Sequence, residues 1–377
     1  MEFLIFAKGP ISYDYTWFVT SHSINKNPHP VVKKLFQGIG VGKQHMVVVT
    51  GAAGLVGTNL LRALLAHGYP VRALVHRDRR GVAGLGVEVV QADLADPASL
   101  RRAFSGAELV FHVAGLISLR MDNWPELEAV NVVGTRHVVD ACLSCGVSRL
   151  VHFSSIHAIQ QQPLDRLLDE TRPRVTSAHL PPYDRSKAAS EIEVQAGIAR
   201  GLDAVILNPT AIFGPFDYKP SYFGQAIIAL ARGRIPGLVE GGFDWVDARD
   251  VAEGAIQAGL HGRKGASYLL GGHWQSVRQV AERVASLSGV AAPRLTVPLW
   301  LAYLAAPLMA LLTRFNGHEP IYTRATLLAL RSNRLISHAL ARRELGYQPR
   351  PFEDSLSDTL GWFVENGYLQ LRKPHWK

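Results

Sequence analysis

The run Val47-Val48-Val49-Thr50 passes directly into Gly51-Ala52-Ala53-Gly54-Leu55-Val56-Gly57, and helical spacing follows through His67. A buried strand, a turn with three evenly spaced glycines and a helix make half of a strand–helix–strand unit, which is completed only by a parallel strand. The alternation continues. Val71–Val75, Val87–Gln91, Glu108–Val113, Arg149–Ser154 and Ala204–Leu207 read as short apolar strands. Between them lie a helix starting at Asp96-Pro97, a long one over Glu126–Cys145 and another over Tyr183–Arg200. Such a chain is confined to a parallel sheet with helices on both faces, its ligand edge at the strand C-termini.

The expected fold class is therefore α/β, a Rossmann-type doubly wound sheet. Thr50, Gly51, Gly54, Leu55, Val56 and Gly57 then form a phosphate cradle. Gly51 permits the tight turn, Gly54 lets the backbone approach a pyrophosphate, and Gly57 allows close helix–strand packing at a positively polarised helix N-terminus. A bare ribose would call for an acidic residue closing the second strand, but that strand runs into His76-Arg77-Asp78-Arg79-Arg80. Arg77, with His76 beside it, suits a 2′-phosphate by bidentate contact and stacking. The expected cofactor is NADP, with NAD as the alternative if Asp78 takes the ribose. Asp93, followed by Leu94, is placed to accept from the adenine amino group.

After Asn208-Pro209 the alternation breaks. Gly- and Pro-rich stretches frame a helix at 222–231, a helix at 250–260 and a strand at 267–270 return to the main sheet, 272–345 reads as mostly helical, and 352–365 closes with a helix. The expected domains are 46–209 with about 244–271 for the dinucleotide, and 210–243 with 272–366 as an interleaved substrate lobe. Residues 1–45 are expected to be a poorly ordered extension and 367–377 a tail. The apolar stretch 297–312 is shorter than the ~20 residues of a spanning helix and holds two prolines, so no membrane span is expected.

The 377 residues carry a net charge of +9 without a basic stripe, which argues against nucleic acid as a partner. Cys142 and Cys145 are the only cysteines, which points to a reducing, cytoplasmic setting. They sit in one helix with no second pair at ligand spacing, so they are read as structural. His112, His152 and His157 match no zinc pattern either, and no metal is expected.

Tyr183-Asp184-Arg185-Ser186-Lys187 places a phenol and an ammonium one helical turn apart. A free phenol titrates near 10, and a neighbouring ammonium together with an oxidised nicotinamide should bring it down. Ser155, at the end of a strand, is placed to orient a substrate oxygen toward Tyr183. His157 is a further candidate for the substrate pocket.

These motifs, with Val110–Gly115, Asn131-Val-Val-Gly134-Thr135, Phe153-Ser154-Ser155, Glu191, Leu207–Thr210 and Trp245–Ala252, resemble the extended short-chain dehydrogenase/reductase superfamily, also called the NAD-dependent epimerase/dehydratase family, over about residues 46–366. The likeness implies Ser155, Tyr183 and Lys187 as a catalytic triad. It places Ala114 and Gly115 along the cofactor and Asn131 near the nicotinamide end, with Asn208 and Pro209 in the site and Lys187 also on the ribose. It further implies a possible homodimer through the helices at 126–145 and 183–200. Ile156-His157 stands where dehydratases of the family carry an Asp-Glu pair, which argues against dehydration. The stretch Gly241–Asp247 and the tail Arg342–Tyr347 look more like the dihydroflavonol-4-reductase and 3β-hydroxysteroid dehydrogenase branch. The expected activity is hydride transfer between a nicotinamide and a secondary alcohol or ketone of a small-molecule substrate. A sugar or nucleotide-sugar epimerase is the alternative, and a non-catalytic dinucleotide sensor the third reading.

Overall fold

The computed structural model describes residues 46–304 and 324–371. The expectations for 1–45, for the second half of the apolar stretch and for 372–377 lie outside the described residues. The chain forms β1 (Met46–Thr50), β2 (Val71–Val75), β3 (Glu88–Gln91), β4 (Ala107–His112), β5 (Arg149–Phe153) and β6 (Ala204–Pro209), and then β7 (Ala211–Phe213), β8 (Gly237–Val239), β9 (Gly242–Asp247) and β10 (Ser267–Leu270). Seven of these make one parallel sheet in the order β10-β6-β5-β4-β1-β2-β3. This is the doubly wound arrangement expected from the alternation. The order reverses between β1 and β4, where the strand C-termini open a ligand crevice. Thr50 and His112 are register partners at that point.

The central strands are apolar because helices cover both of their faces. Val48, Val110, Leu150 and Ile206 share one core cluster with Leu100 and Phe104 and with Val138, Val139 and Cys142. The first helix, α1 (Leu55–Ala66), springs from the glycine turn, and α2 (Pro97–Phe104) is capped by the Asp96 carboxylate on the amide of Ala98. The long helix expected from Glu126 begins at Trp124 and is not uniform. It runs as α3 (Trp124–Leu127), a π-turn over Glu128–Val133 and α4 (Gly134–Cys145), so one extra residue is inserted around Asn131. The helix α5 (Pro182–Ala199) carries Tyr183 and Lys187.

Most of the described residues of the stretch 272–345 are helical, and the stretch also contains two short strands, β11 (His273–Ser276) and β12 (Leu295–Val297). β11 pairs antiparallel with β9, which runs parallel to β7, and β12 pairs with β8. These strands are three to six residues long, too short for a clear period to betray them. They meet α6 (Tyr222–Ala231) around an aromatic cluster. Trp245 stands edge-on to Phe213 at 5.5 Å and to Phe223 at 4.6 Å. Then α7 (Ala248–His261) and β10 return the chain to the main sheet.

One contact fixes how the turn sits on the sheet. A Cβ placed on Gly57 would stand 2.2 Å from the Gly51 carbonyl oxygen, so α1 lies against the turn at backbone distance. Gly57→Ala is expected to cost about 1–3 kcal/mol through overpacking. Urea unfolding checks this, and an unchanged midpoint would show that the turn yields freely.

Candidate active site

The cradle is built from the end of β1, the turn and the first turn of α1. Gly51 lies at φ +65°, and a Cβ there would meet the amide nitrogen of Ala114 at 2.6 Å. Gly54 is the N-cap and supplies no side-chain hydrogen bond, so the first amides of α1 keep their donors for an anion. Thr50, Gly51, Gly54, Leu55, Val56 and Gly57 all line a cleft of about 2210 Å³ that also holds Ala114, Gly115, Ser155, Tyr183 and Pro209. The glycine contacts and the uncapped helix end fit the pyrophosphate of a dinucleotide.

At the end of β2, His76, Arg77 and Asp78 line the same cleft. Asp78 is occupied. Arg80 donates to its carboxylate through Nη2 at 2.6 Å and Nε at 3.0 Å, and these bonds hold the carboxyl down to about 2. Arg77 is exposed and joins no ion pair among the described residues. Asp93 accepts from the amide of Ala95 at 2.9 Å, with His76 Nε2 3.5 Å from its carboxylate. Leu94 also faces the cleft.

Beneath the cleft runs a continuous buried chain of hydrogen bonds. Ala114 N–H donates to Thr50 Oγ1 (3.1 Å), and Thr50 Oγ1 meets His112 Nδ1 (2.9 Å). His112 Nε2 meets Thr135 Oγ1 (3.1 Å), and Thr135 donates to the carbonyl of Asn131 (2.6 Å). Thr135 has one proton and spends it on Asn131, so its oxygen must accept from His112 Nε2–H. Nδ1 then accepts from the Thr50 hydroxyl. A single tautomer satisfies every partner. Burial agrees, pushing His112 down to about 3 and keeping it neutral, with the Lys187 charge acting in the same direction. Asn131 Nδ2 donates to Ser186 Oγ (2.9 Å), and Ser186 donates to the carbonyl of Tyr183 (2.8 Å). Asn131 Oδ1 also accepts from Leu116 N–H (2.7 Å).

Ser155 lies two residues beyond the end of β5 and caps the short turn that follows, accepting from His157 N–H at 3.2 Å. Lys187 Nζ donates to the carbonyl of Phe153 at 2.7 Å and is buried behind Gly115, where a Cβ would stand 3.6 Å from it. Asn208 donates to the carbonyl of Ser155 (3.1 Å) and to the buried carboxylate of Glu191 (2.7 Å), which also takes Arg174 at 2.6 Å. Ser155 and Tyr183 thus stand in the cleft wall, while Lys187, Asn131 and Asn208 lie one layer deeper.

The protein environment does not bring the phenol down. Burial pushes Tyr183 up to about 12, opposed by the hydrogen bond from Ser155 and reinforced by the charge of Asp184. Burial likewise pulls Lys187 down to about 8. The hydrogen bond from Ser155 favours the phenolate. His157 faces Tyr183 edge-on with ring centres 5.7 Å apart, and its Nδ1 lies 3.2 Å from the Asp184 carboxylate. Sequence reasoning noted His157 but passed over Asp184, although its position directly after Tyr183 was the signal.

Among the described residues no group of three or more His, Cys, Asp or Glu side chains is placed to hold a metal ion, and no helix is long and apolar enough to cross a membrane.

The sequence pattern of the NAD dependent epimerase/dehydratase family matches residues 47–271. The chain is 37% identical over 329 residues to sterol demethylase protein B of Methylococcus capsulatus, across 85% of this chain and 99% of that protein. It is 30% identical over 319 residues to 4-hydroxy-2-methyl-3-oxo-4-farnesyl-3,4-dihydroquinoline-1-oxide ketoreductase of Stigmatella aurantiaca, across 80% and 91%. The crystal structure of gox2253 matches with a TM-score of 0.77 at 35% identity, covering 87% of this chain and all (100%) of that one.

The buried chain has a solution signature. At pH 6, nitrogen-resolved NMR should find His112 neutral with its proton on Nε2, and a protonated ring would refute the bonding pattern. Its folded pKa lies below the unfolded value of about 6.5, so the unfolded chain binds the extra proton between the two. The His112 contribution to stability is complete above about pH 6.5 and is lost as pH falls toward 3.

Proposed function

The chain belongs to the NAD dependent epimerase/dehydratase family of the extended short-chain dehydrogenase/reductase superfamily, and from that premise we propose an oxidoreductase that prefers NADP and acts on the secondary alcohol or ketone of a bulky, apolar substrate. The observation that carries this reading is the presence of Ser155 and Tyr183 on the wall of the cleft that receives the uncapped end of α1. Thr50 to Gly57, Arg77, Asp93, Ala114, Gly115 and Pro209 would hold the cofactor, which when bound exchanges a hydride with the substrate carbon. Ser155 holds the substrate oxygen. Tyr183 passes the proton to or from that oxygen, and Lys187, buried behind Gly115, places a positive charge beneath the site.

The cleft, at about 2210 Å³, exceeds the roughly 300–1,000 Å³ of an ordinary ligand pocket, so a dinucleotide leaves room for a large second molecule. Its far wall is apolar, with Ile227, Leu230, Phe243 and Leu328. The names of two relatives, a sterol protein and a ketoreductase of a farnesylated ring, support a bulky substrate. The epimerase reading draws on Gln160, Gln161 and Gln162, which form a polar patch in the same cleft. Net accumulation of oxidised or reduced cofactor separates the two. A homodimer through α4 and α5 suits Ile192, which is 59% exposed on α5.

Tyr183→Phe is expected to lower kcat by roughly 10²–10⁴-fold with NADPH binding retained. Retained turnover would remove Tyr183 from proton transfer. Because its environment keeps the phenol protonated to about 12, ketone reduction should run at neutral pH and alcohol oxidation should rise toward alkaline pH. Opposite slopes in the two pH profiles would reject that assignment. NADPH should bind more tightly than NADH, and equal or reversed affinities would reject the role of Arg77.

A further inference from the structure

After β7 the chain crosses back over the start of α1 as a strap, residues 214–221. Asn59 of α1 donates to the carbonyl of Pro215 at 3.0 Å. The Arg62 guanidinium sits 4.0 Å over the ring of Phe216 and donates to the Tyr218 hydroxyl at 3.3 Å. From the other side, Tyr368 donates to the carbonyl of Tyr218 at 2.7 Å, and Tyr218 stands edge-on to Trp362 at 5.1 Å. Asp217 is buried and accepts from both the amide and the hydroxyl of Ser221 at 2.8 Å. Phe216 is held at φ +66°, a left-handed value that no other non-glycine residue adopts among those described. A bulky residue stays there only where its surroundings over-determine it, and such strain gathers at functional sites.

What the strap holds in place is Lys219. Its side chain is exposed, lines the same cleft as His76, Arg77 and Asp78, and exerts its charge on the Asp78 carboxylate. That carboxylate is already saturated by Arg80. Two cations, Arg77 and Lys219, thus face the cleft with the nearby carboxylate already committed. Ribose hydroxyls have no use for that surplus, whereas a phosphate monoester carries the charge to meet it.

We propose that Lys219 is a second cationic contact for the 2′-phosphate of NADP, reaching it from the strap while Arg77 reaches it from the end of β2. This rests on the NADP reading above and extends it, because discrimination between the two cofactors is then shared by both parts of the molecule. The test is fluorescence titration of the full chain with NADPH and NADH, for wild type, Lys219→Gln and Arg77→Gln, with 2′,5′-ADP and 5′-AMP as competitors. Lys219→Gln should weaken NADPH and 2′,5′-ADP about tenfold, the range of one charge-assisted hydrogen bond, and leave NADH and 5′-AMP unchanged. Unchanged NADPH binding in Lys219→Gln, with the loss confined to Arg77→Gln, would overturn the role of Lys219 and leave the NADP reading standing. Equal losses for both cofactors would also overturn it, since the lysine would then serve a shared part of the molecule. A wild type without NADPH preference would bring down the NADP reading and this proposal together.

Discussion

The neutral imidazole of His112 is the joint on which the site depends. It ties Thr50, at the mouth of the glycine turn, to Thr135 and so to Asn131, Ser186 and the backbone of Tyr183. Every donor along this line has one acceptor, so the line has one register. Protonating His112 would place a proton on Nδ1 and take away the acceptor that the Thr50 hydroxyl has there. The glycine turn and Tyr183 are therefore spaced by a chain of bonds as well as by packing. The π-turn belongs to the same device, since it brings Asn131 to Leu116 and Ser186 together.

Burial sets the protonation of the whole region. It holds His112 and His152 neutral, pulls Lys187 down and pushes Tyr183 up. These shifts share one origin, the cost of placing charge away from water, and differ in sign because an acid and a base respond oppositely. At Tyr183 the Ser155 hydrogen bond works toward the phenolate, against burial. Ser155 is in turn fixed by the turn after β5, so strand geometry reaches the phenol through a single hydroxyl.

The main sheet was legible because its strands are apolar, evenly separated and joined by helices of strong period. Thr50 to Gly57 and Tyr183 to Lys187 were legible because their chemistry needs fixed spacing within one element. What escaped were pairs brought together from distant parts of the chain. Asp184 meeting His157, Arg174 meeting Glu191, and Lys219 facing the end of β2 are tertiary facts with no local pattern. The π-turn escaped because an inserted residue leaves the apolar stripe of a helix nearly unchanged. The short strands β7, β8, β11 and β12 escaped because three or four residues are too few to show a period.

The sheet is closed at one edge by β10, which pairs with β6 although 57 residues lie between Pro209 and Ser267. Until β10 arrives, β6 offers the open edge of a fully buried Ala-Val-Ile-Leu-Asn-Pro strand. On the ribosome the first six strands therefore emerge as an unfinished sheet that must wait for later chain. A contact this remote in sequence makes folding slow and the intermediate adhesive. Cutting the chain after β6 would leave that buried edge bare, so the strands before the cut and the chain that carries β10 have to be inherited together.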